Sequence, residues 1–178
     1  MTLQAIGTDL FVGNADDYER RIGPLRFGED DWLTWAVLQC CKEPYHREAL
    51  GYTSRGAPKD HPEYLNAIRG HRMILNMVDA DDPAYIPKAM VDIALGWMRE
   101  VSFSNRRLFV HCNQGESRGP TMMMMFLAPL LPEDFHAAEA EFKDLCPSYN
   151  PKAGVRGFAA KHWGEYHEWR RTDEPPVS

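Results

Sequence analysis

The chain has 178 residues, 44% of them hydrophobic and 26% charged, enough for one soluble domain to bury a core without cross-links. A formal net charge of −6 argues against nucleic acid or an anionic membrane as the main partner. No apolar run is long enough to span a bilayer, and Met1 to Phe11 lacks the basic and apolar regions of a secretion signal. Cys40, Cys41, Cys112 and Cys146 have neither metal-type nor disulfide-framework spacing, so reduced thiols and a cytoplasmic location are expected.

In chain order, Leu3 to Val12 reads as a strand or hairpin broken at Gly7 and closed by Gly13. Asn14 can cap a short helix reaching Ile22, with Asp16 and Asp17 in its first turn. Trp32 to Cys41 predicts a buried strand, and the polar, aperiodic stretch from Lys42 to Asp60 predicts a long surface loop. Pro62 predicts the start of a short helix ending near Gly70. Met73 to Val78 is strand-like, followed by a loop holding Asp79, Asp81, Asp82 and Pro83. Pro87 opens a helix whose apolar stripe is Ile86, Met90, Ile93, Ala94, Trp97 and Val101. Leu108 to His111 is a short strand leading straight into Cys112.

Three more helices are predicted. One runs from Pro120 to near Pro129; a second, from Pro132 to Leu145, buries Phe135, Ala138, Phe142 and Leu145. The third, about Val155 to Trp169, buries Phe158, His162 and Trp169 or their neighbours. Strands separated by helices make a central, mostly parallel α/β sheet flanked by helices the expected fold. Residues 1–171 form one domain in this reading, with 172–178 a frayed tail.

The chemistry is concentrated in Val110-His111-Cys112-Asn113-Gln114-Gly115-Glu116-Ser117-Arg118-Gly119-Pro120, where five residues separate Cys112 from Arg118. A loop that leaves a strand and enters a helix can turn successive N–H groups inward as a nest for an anion. Gly115 supplies the backbone freedom for that turn, and Arg118 a planar fork for two phosphate oxygens. Asn113, Gln114, Gly115, Glu116, Ser117 and Arg118 are therefore the candidate phosphate-binding residues. An electropositive cradle favours the thiolate, and a thiolate beneath a bound phosphate can attack phosphorus in line.

The sequence His-Cys-x-x-Gly-x-Ser-Arg resembles the signature loop of the dual-specificity branch of the protein tyrosine phosphatases. Leu10-Phe11-Val12-Gly13-Asn14 is similar to that family's opening strand and Pro147 to Phe158 to its closing Asn-Pro segment, while residues 42–71 look like an insertion. The resemblance implies a dual-specificity phosphatase-like fold and hydrolysis of phosphotyrosine, or also phosphoserine and phosphothreonine, through a phosphocysteine. It makes Cys112 the nucleophile and Arg118 the phosphate and transition-state ligand, with His111 and Ser117 tuning the thiolate. A phosphorylated protein or peptide is the implied partner; no cofactor and no metal are expected.

One carboxylate can protonate the leaving group and then activate water. The family draws it from a loop some thirty residues upstream, where Asp79, Asp81 and Asp82 stand. Leu75-Asn76-Met77-Val78-Asp79 looks most like the family's strand ending in this acid, which selects Asp79; spacing alone fits Asp81 better. Two departures matter. The family's hydroxyl just after the Arg is replaced by Gly119, so either hydrolysis of the phosphoenzyme is slow or Thr121 stands in. Glu116 within the loop either repels highly anionic substrates or faces solvent. Met122 to Met125 read as core filler, and His136, His162 and His167 have no partners at metal spacing. A catalytically weak or inactive module that captures phosphorylated partners is the alternative; rhodanese-type sulfur transfer is disfavoured by His111 and the upstream aspartates.

Overall fold

The computed structural model, which describes residues 4–24 and 34–169, joins six strands in one sheet. The strands are β1 (Gln4–Ala5), β2 (Leu10–Gly13), β3 (Trp35–Gln39), β4 (Asn66–Arg69), β5 (Arg72–Leu75) and β6 (Arg107–His111), ordered β1-β2-β6-β3-β5-β4. β6 runs parallel to β2 and to β3, and β3 runs parallel to β5. Only the outer pairs, β1 with β2 and β4 with β5, are antiparallel. The helices are α1 (Ala15–Arg21), α2 (Arg47–Leu50), α3 (Lys88–Ser102), α4 (Arg118–Phe126), α5 (Phe135–Leu145) and α6 (Ala153–Glu168). This is the mostly parallel, helix-flanked α/β sheet expected from the sequence.

Register explains how the two faces differ. Phe109 pairs with Val37 and His111 with Gln39, so these four side chains share one face. Tyr18 of α1 covers that face, its ring stacked on His111. Leu108, Val110, Ala36, Leu38, Met73 and Leu75 alternate to the other face and are fully or almost fully buried. They join one core with Met90, Ala94 and Met98 of α3 and Met122 to Met125 of α4. The four methionines are thus core, as expected of flexible fillers.

Several boundaries differ from expectation. The helix predicted from Pro62 to Gly70 is instead β4, which pairs antiparallel with β5. Gly70, at φ +61°, reverses the chain between them, and β5 offers an edge that outweighs the weak helical signal. The loop predicted for Lys42 to Asp60 begins with helical turns, a π-type turn at Lys42–His46 and then α2. Tertiary contacts hold these turns: Tyr45 packs edge-on to His111, and Arg47 bonds both Glu43 carboxylate oxygens at 2.7 Å and the carbonyls of Tyr52 and Ser54.

The buried stripe of α3 is Met90, Val91, Ala94, Leu95, Met98 and Val101. Ile93, placed in the stripe by spacing, is 44% exposed, because two overlapping apolar stripes share Met90, Ala94 and Val101 and the sheet selects one. In α5, Leu145, expected in the core stripe, lies in the last turn and is 42% exposed. In α6, Trp163 and Tyr166 take the buried places expected of His162 and Trp169, which are half-buried. Leu3, Trp32 and the tail at 172–178 lie outside the described residues.

Candidate active site

In an open parallel sheet, ligands bind where the strands end at their C-terminal edge. Here that edge gathers four segments: Gly13–Ala15 after β2, Cys40–Pro44 after β3, Asn76–Asp82 after β5, and Cys112–Arg118 between β6 and α4. Cys112 follows the central strand and is 2% exposed. The loop behind it is held from outside by its carbonyls. Asn113 O accepts the Ala15 N–H at 3.2 Å, Gly115 O the Ser148 hydroxyl at 3.3 Å, and Glu116 O the Asn150 N–H at 2.8 Å. Across a trans peptide the next N–H points the opposite way, so the N–H groups of Gln114, Glu116 and Ser117 point away from these outer partners. Gly115 makes the turn at φ +76°, and a Cβ there would lie 2.8 Å from Gly13 O.

Arg118 opens α4 and is buried, 8% exposed. Its Nη1 donates to Met77 O at 3.1 Å and its Nη2 to Asn113 Oδ1 at 2.8 Å. Asn113 passes the bond on, donating from Nδ2 to Glu43 O at 3.0 Å. Arg118 Nε is buried without a hydrogen-bond partner among the described residues, 4.0 Å from Asp79 Oδ1. A buried guanidinium N–H in that condition is a donor waiting for an anion.

His111 lies behind the cysteine in an aromatic box. Its ring stacks between Tyr18 at 5.0 Å and Phe109 at 5.3 Å, with Tyr45 edge-on at 5.3 Å. Burial, helped by the charges of Arg72 and Arg118, pushes its pKa down to about 3, so the imidazole is neutral at physiological pH. Cys40 and Cys41 are also buried behind the loop. Burial pushes the Cys41 thiol up to about 12 and Cys40 well above the usual range, which keeps both protonated.

The candidate acids fall into three environments. Asp79 Oδ1 accepts the Ser117 hydroxyl at 2.7 Å. Asp82 caps the turn Pro83–Tyr85 by accepting the Ala84 N–H at 2.8 Å. Asp81 is exposed on the loop between them. Ser117 Oγ also accepts the Lys152 N–H at 3.1 Å, and Thr121 Oγ1 donates back to Ser117 O at 2.8 Å. Gly119 lies under the nucleophile: a Cβ there would meet His111 C at 3.0 Å and Cys112 N at 3.1 Å. Gln114 is exposed and Glu116 half-exposed. Sequence reading missed the partners that are backbone atoms, namely the carbonyls of Met77 and Glu43 and the N–H of Lys152, for which no residue type gives a signal. Among the described residues no group of three His, Cys, Asp or Glu could hold a metal ion, and no helix is long and apolar enough to cross a membrane.

No protein-family model matches the chain, and no curated protein does. Solved structures do match. DUSP15 superposes with a TM-score of 0.64 at 14% identity, over 95% of this chain and 92% of that one. The human tyrosine phosphatase-like serine/threonine/tyrosine-interacting protein gives 0.61 at 16% identity, over 96% and 98%. PTPMT1 gives 0.60 at 16% identity, over 97% and 100%. The chain has the dual-specificity phosphatase fold. In this phosphatase fold the strand β6, the loop from Cys112 to Arg118 and helix α4 stand at the centre of the sheet, flanked by the two candidate walls at Lys42–Pro44 and Asp79–Asp82.

Proposed function

We propose that the chain is a cysteine-dependent phosphatase that hydrolyses phosphotyrosine, and also phosphoserine or phosphothreonine, in protein or peptide substrates. The observation that carries the reading is the loop from Cys112 to Arg118. The carbonyls of Asn113, Gly115 and Glu116 are bound from outside the loop, which turns the N–H groups that follow them the other way. The buried Arg118 Nε has no hydrogen-bond partner among the described residues, with Asp79 Oδ1 4.0 Å away. Such a cradle binds a phosphate dianion over the cysteine and stabilises the charge on its equatorial oxygens during transfer. The Cys112 thiolate attacks phosphorus, the P–O bond to the leaving group breaks, and a carboxylic acid of the Asp79–Asp82 loop protonates the departing oxygen. Water then attacks the phosphocysteine, giving up its proton to the same carboxylate as the S–P bond breaks.

Wild type is expected to turn over p-nitrophenyl phosphate, and Cys112→Ser to lose turnover while still binding vanadate. Persistent turnover in the serine variant would rule out the mechanism.

A second reading, a module that captures phosphorylated partners without turnover, is favoured by Gly119 and Thr121. No hydroxyl follows Arg118, and the Thr121 hydroxyl is spent on Ser117 O. One structure of this fold is a phosphatase-like interacting protein. Vanadate binding by a wild type without turnover would decide for it.

A further inference from the structure

We infer that Asp79 is a positioning residue acting through Ser117, and that the proton for the leaving group comes from Asp81; this rests on the phosphatase reading above. Three segments meet at the Ser117 hydroxyl. It donates to Asp79 Oδ1 at 2.7 Å and accepts the N–H of Lys152, next to the head of α6, at 3.1 Å. The same Asp79 oxygen faces Arg118 Nε at 4.0 Å, while Met77, two residues before Asp79, gives its carbonyl to Arg118 Nη1 at 3.1 Å. Asp79 thus fixes the residue before the arginine and stands beside the arginine's own fork. The Ser117 bond uses the carboxylate as an acceptor and the Arg118 approach uses its charge, whereas a proton donor must turn an O–H toward the leaving oxygen.

The rest of the loop is held separately. A Cβ on Gly154 would lie 2.6 Å from Ala80 O and from Asp82 N, so this stretch rests flush on the first turn of α6. Asp82 is occupied in capping its own turn. Asp81, exposed between two fixed neighbours, is the carboxylate of the loop that neither Ser117 nor the cap engages.

The two roles separate by substitution and by leaving group. Asparagine keeps the Oδ1 acceptor of Asp79 but carries no transferable proton; alanine lacks both. Asp79→Asn is expected to lose less kcat/KM than Asp79→Ala, and by the same factor for phenyl and p-nitrophenyl phosphate. Asp79→Ala and Ser117→Ala should each fall roughly ten- to a hundredfold, the loss of a hydrogen bond to a charged group. The double alanine variant should fall by clearly less than the product of the two single losses, because both break the Asp79–Ser117 bond. These losses should be equal for phenyl and p-nitrophenyl phosphate, since a displaced cradle harms both.

Asp81→Asn should instead spare p-nitrophenyl phosphate, whose leaving group needs little protonation, depress phenyl phosphate, and remove the basic limb of the pH profile. An Asp79→Asn enzyme as impaired as Asp79→Ala, and selectively so for phenyl phosphate, overturns the inference and returns the proton to Asp79. That arm decides even where an alanine variant fails to fold. Vanadate binding and turnover by wild type are measured alongside. A wild type showing neither overturns the phosphatase reading itself and the inference with it, an outcome distinct from an active wild type with the wrong pattern among its variants.

Discussion

Gly119 shows how much one residue can decide at the nucleophile. Its Cα hydrogens lie where a side chain would press on the backbone of His111 and Cys112, at 3.0 and 3.1 Å from a Cβ. Backbone atoms at the end of a central strand cannot swing aside as the tip of a long side chain can. Helix α4 therefore sits closer to the cysteine than a serine or threonine at this position would allow. Gly119→Ser is expected to destabilise the fold by about 1–3 kcal/mol through overpacking, read as a lowered Tm in thermal denaturation. Unchanged stability would show that the loop can shift outward.

Among the elements, α1 is short but fastens the site. Asn14 accepts the Asp17 N–H at 2.9 Å while Asp17 accepts the Asn14 N–H at 3.1 Å, a reciprocal cap that fixes the first turn. The next residue, Ala15, donates to the Asn113 carbonyl at 3.2 Å and so helps turn the Gln114 N–H the other way. Asn14→Ala should cost about 1 kcal/mol in urea denaturation and also weaken vanadate binding. A stability loss with unchanged anion affinity would show that the cap and the loop are uncoupled. The strand β6 contributes differently, through position: pairing with parallel neighbours on both sides, it presents Cys112 where neither sheet edge nor solvent can displace it.

For the whole molecule, buried histidines tie stability to pH. His111 is held down to about 3 and His71 to about 4, both mainly by burial, and burial lowers His46 as well. Unfolded histidines take up protons near pH 6.5, so between that pH and the folded values the unfolded chain binds more protons. Stability is therefore fully present above pH 6.5 and is lost as pH falls through this window. His111 alone should account for about 2 kcal/mol between pH 7 and pH 5. Denaturant unfolding at the two pH values should show a smaller difference in His111→Phe, whose ring can fill the same aromatic box. An equal difference in wild type and variant would place the acid sensitivity elsewhere.

Much of this molecule was legible in the residues alone. The order of the main strands and helices followed from apolar runs punctuated by Gly and Pro. The catalytic candidates followed from Cys112, Gly115 and Arg118 at set offsets, because a phosphate cradle demands those residue types in a continuous stretch of chain. What the sequence could not decide depends on contacts between distant segments. Residues 66–69 became a strand only because β5 offered an edge, and the α3 stripe was chosen by the sheet it meets. Asp79 and Asp81 are alike as letters two positions apart. What distinguishes them is that Ser117, 38 residues further along the chain, donates its hydroxyl to Asp79. Local patterns carry local geometry; which of several equivalent carboxylates, stripes or edges is used depends on what the folded chain brings against it.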